Sequence, residues 1–206
     1  MADRRTLILD GALHILAEHG MRGLTHRAVD TAAGIPQGST SYYFRSRSAL
    51  VAGCVQRLVE LDLTTEGPLV AAVGRDGRGL VDVLVGAAVS LITTQRHRTV
   101  ARYELSLAAT RDPQLLEELT RAGDTIRALV ADLLRALGAT DPTRSAEELA
   151  ATLDGLLFTA LVRGPHEPSA LAAALGPAME RAVRAQPGVA LPPAIPRDVA
   201  QDTQES

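Results

Sequence analysis

The chain is predicted to be all-α, on three observations. Apolar residues recur at helical spacing along most of its 206 residues. Strand-like alternation is scarce. The gaps between periodic runs carry helix punctuation, Gly after a run or Asp-Pro before one.

The elements follow in order. Ile8, Leu9, Ala12, Leu13, Ile15 and Leu16 define a first helix that Gly20 stops. Thr25 N-caps a short second helix with Val29, Ala32 and Ala33 inward, ended by Gly34. A third short helix is expected from about Pro36 to Tyr43. Ser46 caps a longer fourth, with Leu50, Cys54, Leu58 and Leu61 on one stripe. The stretch 67–79, GPLVAAVGRDGRG, reads as a connection. Leu80 to Leu91 is a fifth helix and 96–111 a sixth. Asp112-Pro113 starts a seventh, which ends at Gly138 with Ile126, Leu129, Val130, Leu133, Leu134 and Leu137 inward. Asp141-Pro142 opens the eighth, where Ser145-x-x-Glu148 has capping-box form and Leu149, Leu153, Leu156, Leu157 and Ala160 are inward. The ninth, about Pro168 to Ala185, holds Gly176-Pro177 and is expected to kink or split there. The Pro-rich polar tail after it reads as disordered. These elements divide the chain into 1–47, with a helix-turn-helix at about 25–44, a helical body at 48–186, and the tail at 187–206.

Charge and composition narrow the function. The net charge is −3, yet residues 1–57 carry seven Arg against four acids, and the remainder fourteen against twenty. A basic N-terminal part on an acidic body is the asymmetry of a protein whose one end meets a polyanion. A single Cys excludes an internal disulfide and points to a reducing cytoplasm. The first twenty residues lack the apolar core of a signal peptide, and no apolar run approaches a membrane span.

The chain has five aromatic residues, and three of them, Tyr42, Tyr43 and Phe44, sit together before Arg45 and Arg47. They end a pair of short helices joined by a tight turn at AAGIPQG, a helix-turn-helix unit. Gln37, Ser39, Thr40 and Ser41 are side chains able to bond base edges or phosphates, and Gly38 allows close approach. Tyr hydroxyls and guanidinium groups reach phosphates. On this reading Phe44 anchors the turn in the core while Tyr42, Tyr43, Arg45 and Arg47 hold a backbone; the competing reading is that the whole aromatic run is core packing.

The segment ILDGALHILAEHGMRGLTHRAVDTAAGIPQGSTSYYFRSRSAL, residues 8–50, resembles the DNA-binding domain of the TetR family of bacterial transcriptional regulators. The matching pieces are G-L-T at 23–25, A-A-G-I at 32–35, Q-G-S-T at 37–40, Y-Y-F at 42–44, Ser46, Arg47 and Ala49-Leu50. The resemblance implies that Thr25 caps the second helix and touches a phosphate. His26 and Arg27 would face the DNA backbone. Gln37, Gly38, Ser39 and Ser41 would lie on a recognition helix in the major groove. Tyr42 and Tyr43 would contact phosphates or bases, and Arg47, where the family usually has Lys, would hold a phosphate. The chain departs from the pattern at Pro36, where Ser is common, and at Ser41, where an aromatic is common. The resemblance further implies a homodimer, paired through the helices near 145–162 and 168–185, on a palindromic double-stranded operator. It also implies a small-molecule effector in the helical body. Beyond residue 50 the resemblance is one of architecture.

For that effector the sequence offers His97, Arg98, Arg102 and Tyr103, with Arg102 able to meet an anion, and Asp154 with Phe158 one turn apart. The competing reading of 95–104 is a solvated charged face. No cofactor motif is present: there is no P-loop, no G-x-S-x-G and no His/Cys cluster, and His14, His19 and His26 do not have the i, i+4 spacing of a helical metal pair. Without an acid–base constellation, an enzyme is not expected. The expected function is a ligand-responsive DNA-binding regulator acting as a repressor. The alternative is an all-helical small-molecule-binding or interaction protein that has lost specific DNA binding.

Overall fold

The computed structural model describes residues 3–71, 73, 79–165, 167–189 and 191, without the side chains of 66–71. Among the described residues there are nine helices and no strand: α1 (Arg4–Gly23), α2 (His26–Ala32), α3 (Ser39–Tyr43), α4 (Arg47–Ala71), α5 (Leu80–Ile92), α6 (Arg96–Ala109), α7 (Pro113–Ala136), α8 (Pro142–Arg163) and α9 (Pro168–Arg184). The all-α expectation holds. Most of GRDGRG and of the tail lies outside the described residues.

Most boundaries fall where the capping residues put them. Thr25 accepts from the Ala28 amide, Ser46 from the Ala49 amide, and Asp112 from the amides of Gln114 and Leu115. Four expectations need correction. α3 begins at Ser39 instead of Pro36, because Gly38 sits in the left-handed region at φ 91° and the helix cannot start before it. α4 runs on through Gly67-Pro68, which costs one helical hydrogen bond and does not end the helix. Ser145 does not cap α8: it is buried inside that helix, and Asp141 does the capping by accepting from the Arg144 amide. α9 continues through Pro177 without splitting.

One apolar core joins the N-terminal helices to the body. Ile8, Leu13, Leu16, Val29, Phe44, Leu50 and Cys54 share a cluster with Leu105 of α6 and Leu115 of α7. Burial pushes the Cys54 thiol up to about 12, so it is a packed, unreactive group. α4 passes close over Phe44 because position 53 is Gly; a Cβ there would lie 2.8 Å from the Phe44 ring. Two further clusters hold the body together, one of α5, α7, α8 and α9 and one of α5, α8 and α9.

Glu104, Arg47 and His97 tie α1 and the turn after it to what lies behind. α1 breaks at Gly20 (φ 62°), and Glu104 of α6 accepts from the freed Met21 amide at 3.3 Å. Arg47, at the start of α4, donates to the carbonyls of Met21 and Leu24. His14 of α1 stacks on His97 of α6, ring centroids 4.3 Å apart and nearly parallel.

Candidate nucleic-acid interface and effector site

α3 is five residues long, too short to persist alone. It is held from beneath. Thr40 points inward and is fully buried, and Phe44, just past its end, is 4% exposed. The Asp30 carboxylate, 1% exposed, reaches up from α2. It accepts from the Gly38 amide at 2.7 Å, the Thr40 amide at 2.8 Å and the Thr40 hydroxyl at 2.6 Å. Burial alone raises a carboxyl, but the Thr40 hydroxyl, the two amides and the charge of His26 outweigh it and hold Asp30 below its ordinary value. At the other end of α3 the His26 Nε2 donates to the Phe44 carbonyl at 2.7 Å.

This arrangement sorts the expected DNA contacts. Thr25, Arg27, Gln37, Gly38, Ser41, Tyr42, Tyr43, Arg45 and Arg47 are exposed. The aromatic run divides: Phe44 is core, whereas Tyr42 is 80% and Tyr43 43% exposed, their rings edge to face at 5.3 Å. Among the described residues the side chains of Ser41, Tyr42, Tyr43 and Arg45 make no hydrogen bond, so they are free to meet a ligand. Thr40 must be withdrawn as a DNA contact, because it is buried and bonded to Asp30. His26 is half-buried and committed to Phe44. Ser39 donates its hydroxyl to the Pro36 carbonyl at 2.6 Å, and Gln37 lies back on Arg27 and Thr31 of α2. Arg47 spends one donor on each of two carbonyls, which leaves three of a guanidinium's five. Two residues escaped the sequence reading. Asp30 looked like an ordinary polar position of a short helix, and nothing local says that a carboxylate there turns inward. Arg5 lies over the Phe44 ring, 5.3 Å from its centroid, and adds an exposed cation beside the end of α3.

The six residues named for an effector do not form one site. His97 faces α1 through its stack on His14, and burial followed by the His14 charge pushes it down. Arg98 donates to Gln95 at 2.7 Å and Thr65 at 3.4 Å. The Arg102 Nη2 donates to both carboxylate oxygens of Asp62, at 2.8 and 2.6 Å, so it is not the free cation that an anionic ligand would need. Burial holds the Asp62 carboxyl up even against Arg102. Tyr103, Asp154 and Phe158 do come together. The Tyr103 hydroxyl donates to the Asp154 carbonyl at 3.1 Å, and its ring meets Phe158 edge-on at 5.6 Å. Burial, with the Asp154 charge, pushes the Tyr103 hydroxyl up to about 12. A cleft of 160 Å³ opens elsewhere, among Met21, Arg47, Val51, Asp112, Leu115 and Glu118, and none of the other five named residues or Arg102 lines it.

Two family models match the chain: residues 8–54 match "Bacterial regulatory proteins, tetR family", and residues 75–185 match "Tetracyclin repressor-like, C-terminal domain". The chain belongs to the TetR family. That family is one of regulatory proteins, not of enzymes. The chain is 34% identical over 101 residues to the HTH-type transcriptional repressor KstR2 of Rhodococcus jostii (strain RHA1). That stretch is 49% of this chain and 48% of the repressor, so the chain spans about half the length of this curated relative. Solved structures superpose over most of both chains. A transcriptional regulator from Rhodococcus sp. Rha1 shares the fold with a TM-score of 0.71 at 22% identity, over 91% of this chain and all of that one. The multidrug binding protein EbrR, in complex with ethidium, gives a TM-score of 0.64 at 28% identity over 85% of this chain and 98% of its own.

Proposed function

We propose that the protein is a cytoplasmic, ligand-responsive repressor that binds a palindromic double-stranded DNA operator as a homodimer. The observation that carries this reading is the outer face of the helix-turn-helix: Ser41, Tyr42 and Tyr43 of α3, and Arg45 just past its end, stand exposed and unbonded, while Thr40 and Phe44 are locked into the core. Polar groups near α3 read base edges, and Thr25, Arg27, Arg45 and the spare donors of Arg47 hold phosphates. Two such units in successive major grooves require half-sites roughly 34–36 Å apart.

The dimer seam is assigned to α8 and α9. Val162, 58% exposed on α8, is a large apolar side chain whose cover a second copy would supply. No helix among the described residues is long and apolar enough to cross a membrane. EbrR, which binds ethidium, supports a small-molecule effector in the helical body, where Tyr103, Asp154 and Phe158 meet. Such an effector acts by its different affinity for the DNA-bound and free arrangements. The α1–α6 contacts through Glu104 and His97 are the path by which a shift in the body reaches the helix-turn-helix.

The test is fluorescence anisotropy on DNA from upstream of the protein's own gene, with scrambled competitor and a salt series. The expected result is binding that resists competitor, takes two protomers per site and weakens steeply with salt. Binding no tighter than to scrambled DNA there, and no fragment enriched from the whole genome, sinks the proposal.

A further inference from the structure

α2 holds both ends of the recognition helix. His26 and Asp30 are four residues apart, one helical turn, and so lie on the same side of α2. Asp30 takes the Gly38 and Thr40 amides at the start of α3, and His26 gives its Nε2 proton to the Phe44 carbonyl at the finish. α3 needs this help. Its N-cap, Gly38, has no side chain to satisfy the first amides, and five residues make too few hydrogen bonds to hold a helix. The polarity also matches, with a carboxylate against the amide end and an imidazole against the carbonyl end. The buried Thr40 and Phe44 seat the inner side of α3, and two bonded contacts at its opposite ends fix its tilt.

We propose that His26 and Asp30 form a two-point clamp that sets the angle at which α3 meets DNA. They are positioning residues for base recognition, not DNA contacts. The proposal rests on the DNA-binding reading above. A base-reading side chain displaced by about half an ångström loses its bond geometry, whereas a phosphate contact from a long Arg tolerates the same shift. The clamp therefore governs discrimination between sequences more than total affinity.

The experiment compares the wild type with Asp30→Asn, His26→Ala and His26→Gln. Asp30→Asn keeps shape but sets an amide NH₂ against an N–H donor. His26→Gln keeps a donor. The probe is a duplex enriched by the wild type from a random pool, against a scrambled duplex of equal composition, at temperatures well below each variant's unfolding midpoint. Amide hydrogen exchange is followed at residues 38–44. Asp30→Asn and His26→Ala are expected to lower the ratio of the two affinities roughly tenfold. Affinity for the scrambled duplex should change by no more than about twofold, and exchange at 38–44 should quicken. His26→Gln should restore most of the ratio. If the variants only lower the melting midpoint and keep the ratio, the residues are merely structural and the clamp is overturned. It is overturned too if exchange at 38–44 does not change. If the wild type enriches no duplex, the DNA-binding reading fails and takes the clamp's role with it. Exchange at 38–44 then reports whether the contact itself exists, which separates the two failures.

Discussion

The helix-turn-helix and the helical body are both built from amphipathic helices, but they are wired differently. In the helix-turn-helix the polar contacts that fix the site join residues eight to eighteen positions apart, Asp30 to Gly38 and Thr40, His26 to Phe44. In the body they join residues forty and fifty-one apart, Arg102 to Asp62 and Tyr103 to Asp154. A local unit presents a surface whose residue order is nearly its spatial order. The body brings distant helices together, and a side chain's role depends on which helix ends up opposite. That is why most of the residues named around α3 prove exposed, whereas those named in the body, drawn from distant helices, do not form one site.

The sharpest way to break this contrast is Phe44→Ala. Phe44 belongs to a cluster that continues into Leu105 and Leu115, so its loss should lower stability by about 3–5 kcal/mol. One cooperative urea transition shifting as a whole shows that the two regions share a core. Two separate transitions, with the body's unmoved, would mean that they fold independently.

Arg102→Ala tests the long-range wiring of the body. It strands Asp62 in a mostly buried position, and because the pair keeps some exposure the expected loss is about 2 kcal/mol, short of a fully buried pair. An unchanged denaturation midpoint would return Arg102 to the solvated face that the sequence also allowed.

Tyr103→Phe removes one hydroxyl-to-carbonyl bond and keeps the edge-on contact with Phe158. The expected change is about 0.5–1 kcal/mol in the same assay.

The local unit has its own pH signature. Asp30 is depressed below its ordinary 3.8, so its stabilisation is fully present above that value and is lost as pH falls through the lower folded value. The difference in urea midpoint between wild type and Asp30→Asn should shrink as pH falls below the ordinary carboxylate value. A difference that persists undiminished in acid would assign the effect to another group.

The smallest effect is expected from Arg45→Ala. Arg45 is exposed and bonded to nothing described, so folding stability should not move. DNA affinity should fall equally for selected and scrambled duplexes, with the salt slope reduced by about one. A loss confined to the selected duplex would make Arg45 a base reader.

The sequence by itself determined the helices, their caps at Thr25, Ser46, Asp112 and Asp141, the helix-turn-helix and its family. Each of these depends on residue spacing within a turn or two, which is written in the order of the chain. It misplaced the start of α3 because Pro36 suits a helix start, while the left-handed Gly38 that follows is set by how α2 and α3 meet. Only the tertiary structure decided that Thr40 turns inward, that Asp30 and His26 bond to the two ends of α3, and that Arg102 is spent on Asp62. A polar side chain carries no mark of whether its partner is solvent, DNA or another helix. Burial removes the water, and the groups that then stand opposite decide what it does.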